Sequence, residues 1–337
     1  MPSQKLLQFI RTYKMGAPWI TYRPEIQVLD CTIRDGGLVN GHHFDDDFVR
    51  TVYQTCIESG IDYMEIGYKN SDKIFSRDKF GNWKFCREED VCRALGNIVD
   101  TVKLTAMIDA GRVDWKNDVL PRDRSIFTTM RVAFYVYQLS EAVDMIRDAY
   151  EKGYEVWANL MAASTAKEIE IDQALEILAQ THASVLVVVD SYGSMYAETI
   201  EHLVKKYLRF GKETGKEVGI HAHNNQQLAF ANSIEAIIHG ANRVDASLGG
   251  LGRGAGNCPM ELLLGFLRNP KFKIRPVFAA LDRIITPLRK QIDWGTAAEY
   301  IITGQMNQHP RAAIEARENL ELRDHYLEFY DRIVSES

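Results

Sequence analysis

Ile26-Gln27-Val28-Leu29-Asp30-Cys31-Thr32-Ile33-Arg34-Asp35-Gly36-Gly37-Leu38 is the stretch on which the fold turns. Its first half is an apolar run with strand character, and the turn that follows separates two α/β architectures. A doubly wound open sheet normally leaves its first strand through a G-x-G-x-x-G phosphate loop. Here the turn reads Arg34-Asp35-Gly36-Gly37, a charged pair and two glycines, which is not that fingerprint. Further along, short apolar runs recur at Tyr63–Ile66, Val102–Ile108, Thr128–Phe134, Glu155–Leu160, Val185–Val189, Val218–Ala222 and Arg243–Ala246. Stretches of helical period lie between them, such as Phe48, Val49, Val52, Cys56 and Ile57, or Ile200, Leu203, Val204, Tyr207 and Leu208. Strand and helix signals alternating through eight strands predict a closed (β/α)8 TIM barrel over residues 26–270. Residues 1–25 read as an N-terminal extension. After about residue 270 the strand signal stops, and 271–337 reads as a helical region punctuated by Pro276, Pro287 and Pro310.

The chain has 337 residues, 46% hydrophobic and 26% charged, enough to bury a large core and too apolar for disorder. Forty bases against 46 acids leave a formal charge of -6 without long runs of either sign, which argues against a nucleic-acid partner. No apolar run approaches the roughly 18 residues of a membrane span. The start, MPSQKLLQFIRTYKMGAPWI, lacks the apolar core of a signal peptide, so a cytoplasmic location is expected. Five cysteines without a C-x-x-C pair argue against disulfides and against a thiolate zinc site.

In a parallel barrel the loops after the strands build the active site. Polar residues at predicted strand ends are therefore the candidates: Arg34 and Asp35 after the first, then Glu65, Asp109, Asn159, Asp190, the pair His221 and His223, and Asp245 with Ser247. A two-residue spacing on a strand points both imidazoles of His221-Ala222-His223 to one side, where they can share a metal ion. Asp35 would add a carboxylate, and a mixed nitrogen and oxygen shell suits Mn2+ or Mg2+, with Zn2+ and Co2+ as further options. Two packed, hydrogen-bonded histidines are the competing reading. Two readings are also open for Gly249-Gly250-Leu251-Gly252-Arg253-Gly254-Ala255-Gly256-Asn257, an anion cradle or a tight turn. The long aromatic stretch Tyr68–Cys86 is either a lid or a surface loop.

Three segments carry a resemblance to the DRE-TIM metallolyases, among them 4-hydroxy-2-oxovalerate aldolase, hydroxymethylglutaryl-CoA lyase and the isopropylmalate and homocitrate synthases. They are Leu29-Asp30-Cys31-Thr32-Ile33-Arg34-Asp35-Gly36, His221-Ala222-His223-Asn224-Asn225, and Val244-Asp245-Ala246-Ser247-Leu248 followed by Gly254-Ala255-Gly256-Asn257. Phe230-Ala231-Asn232-Ser233-Ile234 is similar to the 4-hydroxy-2-oxovalerate aldolases in particular. The resemblance implies a divalent metal on Asp35, His221 and His223, with Asn257 as a fourth ligand and Arg34 facing an enolate oxygen. It implies a carbon–carbon lyase acting on a 2-oxo acid of the pyruvate type and an aldehyde, with Glu65, Asp109, Asn159, Asp190 and Ser247 about the substrate. An aldehyde dehydrogenase docked on the C-terminal helices would follow the aldolases, while such helices also serve homodimers or simply cap a barrel. The chain departs from the family where the aldolases carry a basic histidine, since Leu38 stands there. His42, His43 and the C-terminal Tyr300 are the substitutes. The synthases' glutamate and the lyases' glutamine are absent from the same turn. A Claisen-type acyltransferase using acetyl-CoA is the first alternative, and a barrel that binds metal without catalysis is the second.

Overall fold

A computed structural model describes residues 23–319 and 321–335, so most of the expected extension at 1–25 lies outside the described residues. Eight parallel strands run in chain order around a closed barrel. They are β1 Gln27–Asp30, β2 Tyr63–Tyr68, β3 Lys103–Asp109, β4 Thr129–Phe134, β5 Glu155–Leu160, β6 Val185–Asp190, β7 Glu217–Ala222 and β8 Arg243–Ala246. The seam closes where β1 pairs with β8, Leu29 opposite Asp245 and Asp30 opposite Ala246. The (β/α)8 barrel expected from the alternation of apolar runs is thus the fold.

The helices are α1 Thr32–Gly36, α2 Asp46–Ser59, α3 Glu88–Leu95, α4 Trp115–Asp118, α5 Leu139–Glu151, α6 Glu168–Ala179, α7 Ala197–Lys212, α8 Ala229–Ile238 and α9 Met260–Leu267. Local chemistry sets their ends. Asp45 caps α2 by accepting a hydrogen bond from Phe48 N, and Gly60, with φ 71°, ends it in the left-handed region that favours glycine. Between β3 and β4 the single turn of α4 and a 3-10 turn at Arg122–Arg124 stand where a full helix is usual.

Side chains alternate along each strand, so one set packs under the helices and the other fills the barrel. The lower interior is apolar: Leu29, Tyr63, Trp157, Val185 and Val187 form one buried cluster, with the Tyr63 and Trp157 rings 4.8 Å apart. Two residues further along β2 and β5 the inward positions turn polar, at Glu65 and Asn159, as does His221 near the end of β7, and that change marks the functional end.

The C-terminal region is helical, as its composition indicates. α10 Ile274–Ala280 packs against α2 and continues through a π turn to Leu288. α11 Ala298–Gln305, α12 Arg311–Glu318 and α13 Tyr326–Ser335 share a second core, Tyr300, Ile302, Ala313, Ala316, Phe329 and Ile333 closing on Ala255 of the loop after β8. These helices therefore sit beside the barrel mouth.

Candidate metal centre at the barrel mouth

Asp30, the last residue of β1, accepts hydrogen bonds from Thr32 N at 3.0 Å and Thr32 Oγ1 at 2.7 Å, which starts the short turn α1. That turn presents Arg34 and Asp35 at the strand end. Asp35 Oδ2 accepts from Arg34 Nη1 at 2.6 Å, and Oδ1 accepts from the backbone N–H of Arg253 at 2.9 Å. From β7 and the residue just past it, His221 Nε2 and His223 Nε2 lie 3.3 and 3.8 Å from Asp35 Oδ2. One ligand atom from each of these three buried residues lies within 4.8 Å of the others.

The rings are held from behind. His223 Nδ1 lies 3.2 Å from the Gly256 carbonyl, which can only accept, so Nδ1 carries the proton and Nε2 offers its lone pair. His221 Nδ1 faces Asp245 Oδ2 at 2.9 Å, the carboxylate–histidine arrangement that orients metal-binding imidazoles. His221 Nε2 is buried without a hydrogen-bond partner, and so is Asn257 Oδ1, whose residue bridges to His223. Two buried imidazole nitrogens within 3.8 Å of one carboxylate oxygen fit a cation, and the donor set has the mixed nitrogen and oxygen character of Mn2+, Mg2+ or Zn2+ sites.

Burial pushes the Asp35 carboxyl up, but Arg34, His223 and His221 outweigh it and hold it well below the usual carboxylate range. Burial pushes His223 well down, which keeps its imidazole neutral. Burial lowers His221, but the neighbouring Asp245 and Asp35 carboxylates outweigh it and raise its imidazole.

Beneath these residues runs a buried ion network. Glu65 Oε2 accepts from Arg34 Nε at 2.7 Å and Arg131 Nη1 at 2.8 Å, while Arg131 Nη2 reaches Asp245 Oδ2 at 2.5 Å. Two guanidiniums, Arg34 and Arg131, thus lie among three carboxylates, Asp35, Glu65 and Asp245. These five groups together carry one net negative charge, which a cation would offset.

The site opens into a cavity of about 270 Å³. Arg34, Asp35, Asp109, Asn159, His221 and His223 line it, together with Leu38, Tyr68, Arg112, Tyr135, Arg253, His309 and Arg311. Other candidates lie elsewhere. Glu65 is fully buried under the two arginines, Asp190 accepts from the backbone of Ser194 and Met195, and Ser247 is buried beside Cys258. Tyr300 packs on Gly254 and faces a neighbouring cavity with Leu38 and Arg317. His43 is exposed, its Nε2 3.3 Å from the Lys79 carbonyl. His42 is buried against Gly37, where a Cβ would fall 2.1 Å from its Nδ1, and edge-on to the Tyr68 ring at 5.4 Å. Neither of its ring nitrogens has a partner, and it does not line the cavity.

The glycine run after β8 folds as a tight turn. Gly256 has φ 84°, and a Cβ there would lie 2.0 Å from the Gly250 carbonyl. Several of its N–H groups are taken by the protein itself, including Gly249 N by Glu261 and Arg253 N by Asp35. In the Tyr68–Cys86 stretch both ends are buried, with Trp83 Nε1 donating to the Phe44 carbonyl at 2.8 Å, and only the middle is exposed. Of the cavity residues not singled out from sequence, Arg253 stood inside a motif and Tyr68 and Arg112 close to strand ends. Tyr135 directly follows the fourth predicted strand, and His309 and Arg311 carried no signal.

Comparison with known proteins agrees with this geometry. The HMGL-like family model matches residues 25–277. The chain belongs to that family and so to the DRE-TIM metallolyases. It is 28% identical to a 4-hydroxy-2-oxovalerate aldolase of Pelotomaculum thermopropionicum over 251 residues, 74% of this chain and 72% of the other. It is 30% identical to an oxaloacetate decarboxylase of Mycobacterium tuberculosis over 274 residues, covering 81% of this chain and 77% of that one. Among solved structures, the N-terminal domain of a candidate aldolase from Bacteroides vulgatus superposes with a TM-score of 0.73 at 25% identity, over 88% of this chain and 98% of that one. The HMG-CoA lyase of Brucella melitensis, at 14% identity and a TM-score of 0.64, covers 79% of this chain and 99% of its own and shares the fold.

Proposed function

We propose that this chain is a divalent-metal-dependent aldolase that cleaves or forms a carbon–carbon bond of a 2-oxo acid, with pyruvate as the enolate half. The observation that carries the reading is the convergence of Asp35, His221 and His223 beside Arg34 at the floor of one cavity. A divalent ion on those three residues, with Asn257 near as a fourth donor, would supply Lewis acidity to the 2-oxo group. Arg34 is fixed by Glu65 and Asp35 through Nε and Nη1, which leaves Nη2 without a protein partner among the described residues. That N–H edge is set to meet the enolate oxygen, a contact worth about 3 kcal/mol in comparable sites. In the cleavage direction a base takes the hydroxyl proton, the bond between the carbinol carbon and the enolate carbon breaks, and an aldehyde departs.

Leu38 cannot serve as that base, and His42 stands behind the turn. Asp109 lines the cavity, its Oδ1 is buried without a partner, and burial raises its carboxyl above the ordinary range, which is the setting of an acid–base group. We assign it the proton transfer. A second reading, decarboxylation of a 2-oxo diacid, is favoured by the 30% identity to the mycobacterial decarboxylase, and it passes through the same enolate. The test is hydrogen–deuterium exchange at the pyruvate methyl group with added Mn2+, alongside cleavage of 4-hydroxy-2-oxo acids and loss of oxaloacetate. Asp35→Ala and His223→Ala are expected to abolish metal-dependent turnover, and full activity of the metal-stripped double variant ends the proposal. Thiol release from acetyl-CoA with 2-oxo acids would identify an acyltransferase instead.

A further inference from the structure

Four arginines line the cavity, Arg34, Arg112, Arg253 and Arg311, against two aspartates, Asp35 and Asp109. Asp35 is committed to Arg34 and the histidines. Asp109 stands 3.7 Å from Arg112, a loose and half-exposed pair. The other two cations are unmatched. Arg253 donates only to neutral acceptors, the Ser191 carbonyl and His309 Nε2, and neither Arg253 nor Arg311 has a carboxylate within ion-pair distance among the described residues. They arrive from different parts of the chain. Arg112 follows β3, Arg253 lies in the loop after β8, and Arg311 opens α12 beside His309. His309 reports their combined field: burial first, then Arg253, Arg311 and Arg112, push its imidazole down to about 4. The buried floor is accounted for by the ion and the 2-oxo acid, whereas Arg112 and Arg311 are exposed at the entrance. A positive cluster in which only Arg112 has a carboxylate nearby, and that one loosely held, is a site for an anion.

Resting on the aldolase reading above, we infer that the half of the substrate away from the metal carries a second negative group, a carboxylate or a phosphate, received by Arg112, Arg253 and Arg311. The substrate class is then an anionic aldehyde as acceptor, with a 4-hydroxy-2-oxo acid that carries the second anionic group as product. Simple alkyl aldehydes would leave two guanidiniums facing no partner.

The test compares matched acceptors in pyruvate condensation with Mn2+: glyceraldehyde 3-phosphate against glyceraldehyde, and succinic semialdehyde against butyraldehyde. The anionic member of at least one pair is expected to exceed its neutral counterpart in kcat/KM at least tenfold, and which pair does so separates phosphate from carboxylate. Arg311→Met and Arg112→Met are each expected to lower that ratio at least tenfold, chiefly through KM. Equal or better use of the neutral aldehydes, or variants that lower both members alike, overturns the inference. Pyruvate methyl exchange in the unaltered protein tests the underlying reading separately. If exchange is absent, binding of glycerol 3-phosphate and of succinate to the Mn2+-loaded protein decides. Binding of either that Arg311→Met weakens tenfold sustains the anion site without the aldolase, and no binding of either removes both.

Discussion

Replacing Asp245 by asparagine isolates the electrostatic contribution of a residue that the substrate does not reach. Asp245 Oδ2 alone accepts from both His221 Nδ1 and Arg131 Nη2, so an amide oxygen can keep both hydrogen bonds. What changes is charge: three carboxylates become two against the same two guanidiniums, and the net negative charge that favours a cation disappears. His221 also loses a contact that raises its basicity. Loss of such a supporting carboxylate typically weakens metal binding about 10- to 100-fold, about 1.4–2.7 kcal/mol. Titration by Mn2+ electron paramagnetic resonance reads this directly. Thermal unfolding reads it again: at a metal concentration about 100 times the unaltered protein's Kd, that protein gains about 2.7 kcal/mol and the variant about 0.4–1.4 kcal/mol. Circular dichroism of the metal-free variant checks that the barrel is intact. A Kd within twofold of the unaltered value in a folded variant refutes the reasoning, because His221 would then owe nothing to the carboxylate behind it.

Other expectations can be checked alongside. Arg34→Lys cannot hold Glu65 and Asp35 together while presenting a third donor, so kcat should fall about 10²–10³-fold in steady-state assays. Asp109→Asn should lower kcat about 10²–10⁴-fold and flatten the acidic limb of the pH–rate profile, and an unchanged profile would move the base elsewhere. Asp30 makes stability depend on pH. Burial, only partly offset by Thr32, raises its carboxyl from 3.8 to about 7, so the native protein holds a proton that the unfolded chain releases. Its favourable contribution is complete below 3.8 and is lost as pH rises through about 7, by at most about 4 kcal/mol. Asp30→Asn should therefore raise the thermal midpoint by a margin that grows from pH 4 to pH 8, whereas a constant margin would mean the carboxyl does not titrate there.

The barrel was legible because each strand is buried on both faces and reads as a continuous apolar run, bounded within a residue or two of where the backbone pairs. The convergence of Asp35, His221 and His223 was legible because a spacing of two at a strand end sets His221 and His223 to one side, and Asp35 stands at another strand end. The ion network was not, since bringing Glu65, Arg131 and Asp245 together depends on register across the closed barrel, which no single strand encodes. Asp190 looked like Asp109 in sequence, but the turn after β6 folds back and occupies its carboxylate with two backbone N–H groups. His309 and Arg311 were invisible for a different reason. They flank Pro310 in a region without strand periodicity, and only the packing of α11–α13 against Ala255 carries them to the mouth.

The seam between β1 and β8 ties assembly of the Asp35–His221–His223 cluster to the order of synthesis. Asp35 leaves the ribosome early, while His221, His223 and the Gly256 carbonyl that steers the second ring come from the far end of the barrel. No partial chain ending before β7 can assemble the centre. On the proposed reading, an ion held there would be acquired late, by a barrel that has already joined its first strand to its last, and chelators added during refolding should spare closure of the barrel.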